Sequence, residues 1–147
     1  MKDRFMNGYV AGVVADIPIV ILDMLSGLFH LDKFDYIHFV TIFAFSERNP
    51  NIWETLFALM IQLFFAGVLG VAFSYLLPHI SERYFYSKGL IWGVLVWFMI
   101  YAVDIIFKIE DGLKMDFRTA VTHFILSVIW GWLMAWMLKR LRRMEQR

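Results

Sequence analysis

The stretch that decides the fold is residues 51–78, NIWETLFALMIQLFFAGVLGVAFSYLLP, in which Glu54 is the only charged residue. A helix rises about 1.5 Å per residue, so this run is long enough to cross a hydrocarbon core of roughly 30 Å. Asn51 followed by Glu54 fits a capping box at its start, and Pro78 fits a stop at its end. The stretch therefore predicts one transmembrane helix with both ends marked.

The rest of the chain repeats this pattern. Its 147 residues are 61% hydrophobic and 18% charged, with a mean hydropathy of +0.64. A soluble chain of this length cannot bury so much apolar surface. Further apolar runs cover residues 6–29, 86–107 and 117–138. The sequence predicts an all-α integral membrane protein, a single domain over residues 1–147 with four transmembrane helices arranged as two tandem hairpins. The first run holds two aspartates and lacks a cleavage motif, which argues against a signal peptide.

Residues 34–46, FDYIHFVTIFAFS, form an apolar and aromatic segment that is too short to span a bilayer. We expect a short interfacial or re-entrant helix here, between the first and second spans. A flat helix that covers the bundle is favoured, because a re-entrant backbone needs protein or water around it.

Composition also excludes several kinds of chemistry. The chain has no cysteine, which excludes disulfides, iron–sulfur clusters and cysteine-ligated zinc. Its net charge of +1 offers no field for nucleic acid. The sequence contains no nucleophile motif, no zinc-protease motif and no phosphate-binding loop. We therefore expect neither an enzyme nor a bound cofactor.

The distribution of lysine and arginine predicts the orientation in the membrane. Of the 14 basic residues, nine lie at the N-terminus, in the loop 78–88 or in the C-terminal tail. The other five lie on the opposite side of the membrane, which is also rich in carboxylates. By the positive-inside rule, both termini of this multi-pass protein should be cytoplasmic, in the cell (inner) membrane.

Small residues recur four positions apart in every span and indicate close helix packing. They also suggest an internal duplication, because the first span aligns with the third at an offset of 81 and the second with the fourth at an offset of 61. Coincidence is the alternative, since small residues are common in membrane helices. The packing positions are Gly8, Gly12, Ala66, Gly70, Ser74, Gly89, Gly93, Ser127, Gly131 and Ala135.

Among the polar residues within the spans, five require an explanation, namely Asp16, Asp23, Gln62, Asp104 and His123. A charged residue at mid-bilayer costs at least roughly 2.5–3.5 kcal/mol, so these side chains should face the bundle interior or water. Asp16 and Gln62 lie roughly 20 and 17 Å below the outer ends of their spans, whereas Asp23 and His123 lie roughly 9 Å down. The depths predict two layers: Asp16 with Gln62, and Asp23 with His123 near Asp104.

These residues have two interpretations. One is a proton- or cation-linked path, and the other is a set of buried hydrogen bonds that holds the bundle together. A further cluster outside the spans, His30, Asp32, Asp35 and His38, is a weak candidate for a metal site. Its spacing matches no metal signature, so a solvated interfacial cluster is favoured and we expect no bound metal.

The stretches AGVLGVAFSYLLP at 66–78 and KGLIWGVLVWFMIY at 88–101 resemble the YqhR-like small membrane proteins of Gram-positive bacteria. GYVAGVVADI at 8–17 is similar to the start of that family and of the YagU-like inner-membrane proteins. The resemblance covers about half of the chain and consists of small-residue helix patterns. It implies a four-helix bacterial membrane protein without an established activity, and it assigns no role to Asp16, Asp23 or His123.

Two functions remain open from the sequence. The first is association in the bilayer, as a subunit, assembly factor or envelope-stress protein, with a homo-oligomer or another membrane protein as partner. The second is an oligomeric proton- or cation-linked channel or transporter that uses the buried carboxylates. Four helices with short loops leave little room for a pore, so transport requires an oligomer or a cavity open to one side.

Overall fold

The computed structural model describes residues 3–29, 36–45, 50–77, 83–107 and 117–144, and the side chains of His38, Asp104 and Phe107 fall outside that description. Within these ranges the chain forms five helices and no strand. They are α1 (Arg4–Leu28), α2 (Tyr36–Phe45), α3 (Ile52–Leu76), α4 (Phe85–Phe107) and α5 (Phe117–Met144). Helices α1, α3, α4 and α5 are long and apolar enough to span a membrane. The predicted fold class is confirmed, including the short helix after the first span.

Local sequence explains where the helices begin and end. Asn51 and Glu54 form the predicted capping box, in which each side chain accepts a hydrogen bond from the other residue's backbone N–H. Helix α5 continues to Met144, beyond the predicted end at residue 138. Its last turn carries Arg142 and Arg143, whose positive charges stabilise a helix C-terminus, so the helix continues past the apolar run.

The central pair of the bundle is α1 and α5. Helix α1 packs against α3 and α5, α4 packs against α5, and α2 packs against α3. Helices α3 and α4 therefore lie on the flanks. They meet through aromatic side chains, with the rings of Phe73 and Trp92 5.8 Å apart. The side chain of Phe85 packs beside Phe73 at 6.2 Å, so this contact lies at the bundle end that carries the termini.

The small-residue positions are sites of close backbone contact between helices, as predicted. A methyl group on Gly12 would overlap the backbone carbonyl of Ala66, and one on Gly70 would overlap the carbonyl of Gly8. All ten predicted packing residues are buried. The small-residue faces of α1, α3, α4 and α5 therefore join helices within the chain.

The α4–α5 hairpin repeats the contacts of the α1–α3 hairpin. A methyl group on Gly93 would overlap the carbonyl of Ser127, and one on Gly131 would overlap the carbonyl of Gly89. These positions correspond to Gly12 with Ala66 and to Gly70 with Gly8 under the offsets of 81 and 61 residues. The two hairpins thus pack through equivalent contacts.

Candidate intramembrane binding site

The deeper polar pair joins α1 to α3. The side-chain amide of Gln62 donates from Nε2 to Oδ2 of Asp16 over 3.3 Å, and Asp16 is only 7% exposed. The pairing predicted from depth is confirmed. The second amide atom, Oε1 of Gln62, is buried and accepts no hydrogen bond within the described part of the chain. One acceptor beside the Asp16 carboxyl group is therefore left without a donor among the described residues, and it is enclosed rather than exposed to the cavity.

The shallower pair also forms as predicted. Oδ1 of Asp23 lies 3.7 Å from Nε2 of His123, and both side chains are almost fully buried. The other carboxyl oxygen, Oδ2, accepts a hydrogen bond from the backbone N–H of Tyr36 at 2.6 Å. Tyr36 is the first residue of α2, where backbone N–H groups lack partners inside the helix. Asp23 therefore fixes the start of α2 to α1, which is a structural role.

Tyr36 connects this pair to α5. Its hydroxyl group donates to the backbone carbonyl of His123 at 3.1 Å and lies 2.8 Å from the hydroxyl of Ser127. Its ring stacks on the His123 imidazole with centroids 4.2 Å apart. Burial raises the pKa of Tyr36 above its ordinary value, so the hydroxyl stays a neutral hydrogen-bond donor. Nδ1 of His123 lies 3.3 Å from the hydroxyl of Tyr101.

A cavity of about 450 Å³ lies beside the Asp16–Gln62 pair, within the usual range of roughly 300–1,000 Å³ for small-molecule sites. All five helices contribute to its wall, and α2 supplies three of its five aromatic side chains. The lining is mostly apolar. Four of the lining residues are polar: Asp16, Tyr36, Gln62 and Ser127. Five are aromatic: Tyr36, Phe39, Phe43, Phe65 and Trp130.

The cavity exists because α3 and α4 separate. The aromatic contact of Phe73 with Trp92 holds them together near the termini. Farther along, the side chains of the two helices line the cavity instead of interlocking. These are Phe65 and Leu69 on α3, and Val96 and Ile100 on α4. Phe65 and Met99, on the two sides of this gap, are about half exposed, so the cavity is open between the two flanking helices.

The described lining of the cavity carries acidic groups and no basic ones. Asp16 is the one ionisable group besides Tyr36 among the described residues that line the cavity, and that lining includes no lysine, arginine or histidine. A carboxyl group in such a setting can hold a proton or pair with a cation that enters. Among the described wall residues, no cationic neighbour neutralises it.

The structure describes only some of the other site residues predicted from the sequence. The side chain of Asp104, predicted to join the shallower layer, lies outside the described residues, as do His30, Asp32, Asp35 and the side chain of His38. Two packing residues, Ala66 and Ser127, also line the cavity. Sequence reasoning missed Tyr36 and the hydroxyl role of Ser127. Ser127 lies one helical turn after His123, and that spacing is the signal by which it could have been found.

No family model, curated protein or solved structure matches this chain. Function is therefore inferred from the cavity and from the two polar layers. The shallower layer has a clear structural role, because it fixes α2 to α1 and α5. The deeper layer faces open volume, which makes Asp16 and Gln62 the candidate functional residues.

Proposed function

We propose that this chain is a bacterial inner-membrane transporter that uses Asp16 to carry a proton or another cation, and that it is not an enzyme. One observation carries the proposal: a buried carboxyl group, with an amide as its only described side-chain partner, lines a cavity between helices. A carboxyl group within the bilayer is unfavourable and is retained most often at sites of ion or proton movement.

The comparison with Asp23 supports this assignment. Asp23 holds the N-terminus of α2 and lies beside His123, so the fold itself accounts for its burial. Among the described residues, Asp16 caps no helix and has no basic partner in the cavity wall. For packing alone, an apolar residue at position 16 would serve α1 without the cost of desolvating a carboxyl group.

The equivalent packing of the two hairpins supports a mechanism. We propose that they arose by duplication and are related by a pseudo-twofold axis along the membrane normal. The cavity lies between the hairpins, closed toward the termini by Phe73 and Trp92. A change in the angle between two rigid hairpins would open that end, and a second copy of the chain could complete the path.

The transport proposal is tested by flux into liposomes. Purified protein in vesicles with an imposed pH gradient should dissipate the gradient faster than empty vesicles, as read by an enclosed pH-sensitive dye. Asp16→Asn should reduce the rate to that of empty vesicles, because the amide cannot carry the proton. Asp3→Asn, at the exposed N-cap of α1, is the matched control and should keep the wild-type rate. Equal rates for wild type and Asp16→Asn would contradict the proposal.

The proposed orientation places both termini in the cytoplasm, with α2 on the outer side. A reporter fused after Arg147 should show cytoplasmic activity, and one inserted at Lys114 should show external activity, because nine of the 14 basic residues flank the termini side. Fluorescent and phosphatase reporters give the two readings. The reverse pattern would refute the orientation.

A second candidate is association with another membrane protein, as a subunit or assembly factor. The observation that favours it is the same gap between α3 and α4, which a partner's helix would close. The small-residue faces are occupied within the chain, so they are not free for this role. Mass measurement in detergent together with the flux assay separates the two functions, since a subunit acting only by association would show no flux alone.

A further inference from the structure

The lining of the cavity combines features that recognise one chemical class. It brings together a carboxyl group and five aromatic rings in a wall that is otherwise mostly apolar, and an amide oxygen without a partner among the described residues is enclosed behind that wall. We propose that the cavity binds a hydrophobic ammonium, that is, an apolar amine in its protonated form. This inference rests on the proposed function and names the cation that Asp16 would bind.

The polar side chains of the cavity would bind the ammonium group of the ligand. Asp16 offers carboxyl oxygens, and its orientation is set by the hydrogen bond from Nε2 of Gln62. The same amide presents Oε1, which has no partner among the described residues. An ammonium N–H that reaches Asp16 forms a charge-assisted hydrogen bond with the carboxylate, and a turn of the Gln62 side chain would bring Oε1 to a second N–H of the same group. Both acceptors would then be used by one group.

The aromatic side chains would contact the apolar body of the ligand and stabilise part of its positive charge. Ring faces attract a cation within about 6 Å, and aromatic cages are a common means of binding ammonium groups. Phe65 and Trp130 line the same cavity as Asp16, while Phe39 and Phe43 line it from α2. The apolar wall gives favourable burial to a hydrocarbon body of the ligand.

Other ligand classes fit this wall less well. An anion would meet a carboxyl group and no basic side chain among the described lining residues. A bare metal cation would lose its water in exchange for few oxygen ligands, since Ca²⁺ takes six to eight and Mg²⁺ near-octahedral coordination. A neutral hydrocarbon would add no partner for Oε1 of Gln62, and none for the Asp16 carboxyl group beyond the Gln62 amide. A hydrophobic ammonium satisfies both the polar and the apolar parts of the wall.

The route into the cavity also suits a hydrophobic ammonium. Hydrophobic amines concentrate in the bilayer, and the gap between α3 and α4 faces the bilayer. Val96 and Ile100 line the cavity on the α4 side of that gap. A ligand can therefore enter sideways, without crossing the polar loops.

The test uses a pair of probes that share a shape and differ in charge, 1-adamantylamine and 1-adamantanol. Binding is measured by calorimetry on the full chain in phosphatidylcholine nanodiscs, with empty nanodiscs subtracted. The amine should bind at least about tenfold more tightly than the alcohol. Asp16→Asn should weaken amine binding by about tenfold or more, which is the loss of one charge-assisted contact, and should leave the alcohol unchanged. Asp3→Asn should bind both as the wild type does.

A second measurement locates the ligand without changing Asp16. Because the chain has no cysteine, Ile100→Cys places a single thiol in the cavity wall, and Phe98→Cys places one on the exposed face of α4. The amine should slow maleimide labelling of Ile100→Cys and leave Phe98→Cys unaffected. Equal affinity for amine and alcohol, amine binding that Asp16→Asn does not weaken, or equal protection at both thiols would overturn the assignment.

These outcomes are separable from those of the flux assay. Amine binding without any flux would refute transport and leave the ammonium site standing. Proton flux that depends on Asp16, with no amine binding, would refute the ammonium site and leave transport standing.

Discussion

Gly70→Leu should abolish the folded bundle. A side chain at this position overlaps the backbone of α1 at Gly8 and Gly12, and backbone atoms cannot move aside without separating α1 from α3. Overpacking in a core usually costs roughly 1–3 kcal/mol and more where the neighbour is rigid. We expect a loss at or above the upper end of that range, since the whole α1–α3 interface must open.

The equivalent substitution in the other hairpin should have the same effect. Gly131→Leu meets the backbone of Gly89 and Gly93 in the same arrangement. Leu69→Ile, one residue from Gly70 and of equal volume, is the matched control and should cost less than about 1.5 kcal/mol. Unfolding in detergent, followed by circular dichroism as denaturant is added, gives the comparison. If all three variants unfolded together with the wild type, the small-residue faces would not be interhelical contacts.

Asp23→Ala should produce the second large loss of stability. It removes the acceptor for the backbone N–H of Tyr36 and the carboxylate beside His123. Leaving buried polar groups without this partner costs roughly 2–3 kcal/mol. The loss should be accompanied by detachment of α2, whose first residue bridges α1 and α5.

Two readouts distinguish detachment of α2 from general weakening. Hydrogen exchange of the α2 amides should rise in Asp23→Ala well before the α3 amides exchange. Asp23→Asn should lose less stability, because its amide oxygen can still accept from Tyr36. Asp3→Ala, at the exposed start of α1, controls for removal of a carboxylate. Unchanged exchange in α2 would show that Asp23 does not anchor this helix.

Much of this architecture follows from simple rules. Four apolar runs of sufficient length determine four spans, and Asn51 with Glu54 marks a helix start in both sequence and structure. The rise of 1.5 Å per residue assigns each polar residue a depth, and side chains at equal depth in neighbouring spans pair because hydrocarbon offers no other partner. For this reason the pairing of Asp16 with Gln62 was predictable.

The cavity was not predictable in the same way. Helices α3 and α4 are apolar on all sides, so periodicity does not say which faces pack and which meet lipid. Their separation depends on where the bulky rings of Phe73 and Trp92 come into contact. Tyr36 belongs to a short helix whose position over the bundle is set by Asp23, a long-range contact that local pattern does not encode.

Infrared difference spectroscopy tests most directly whether the carboxyl group of Asp16 holds a proton and gives it up when a cation binds in the cavity. The carbonyl band of a protonated carboxyl group should disappear when 1-adamantylamine is added to the protein in lipid. That change should be present in wild type and Asp3→Asn and absent in Asp16→Asn. The same loss of the carbonyl band in Asp16→Asn would contradict the claim, because another carboxyl group would then be responding to the amine.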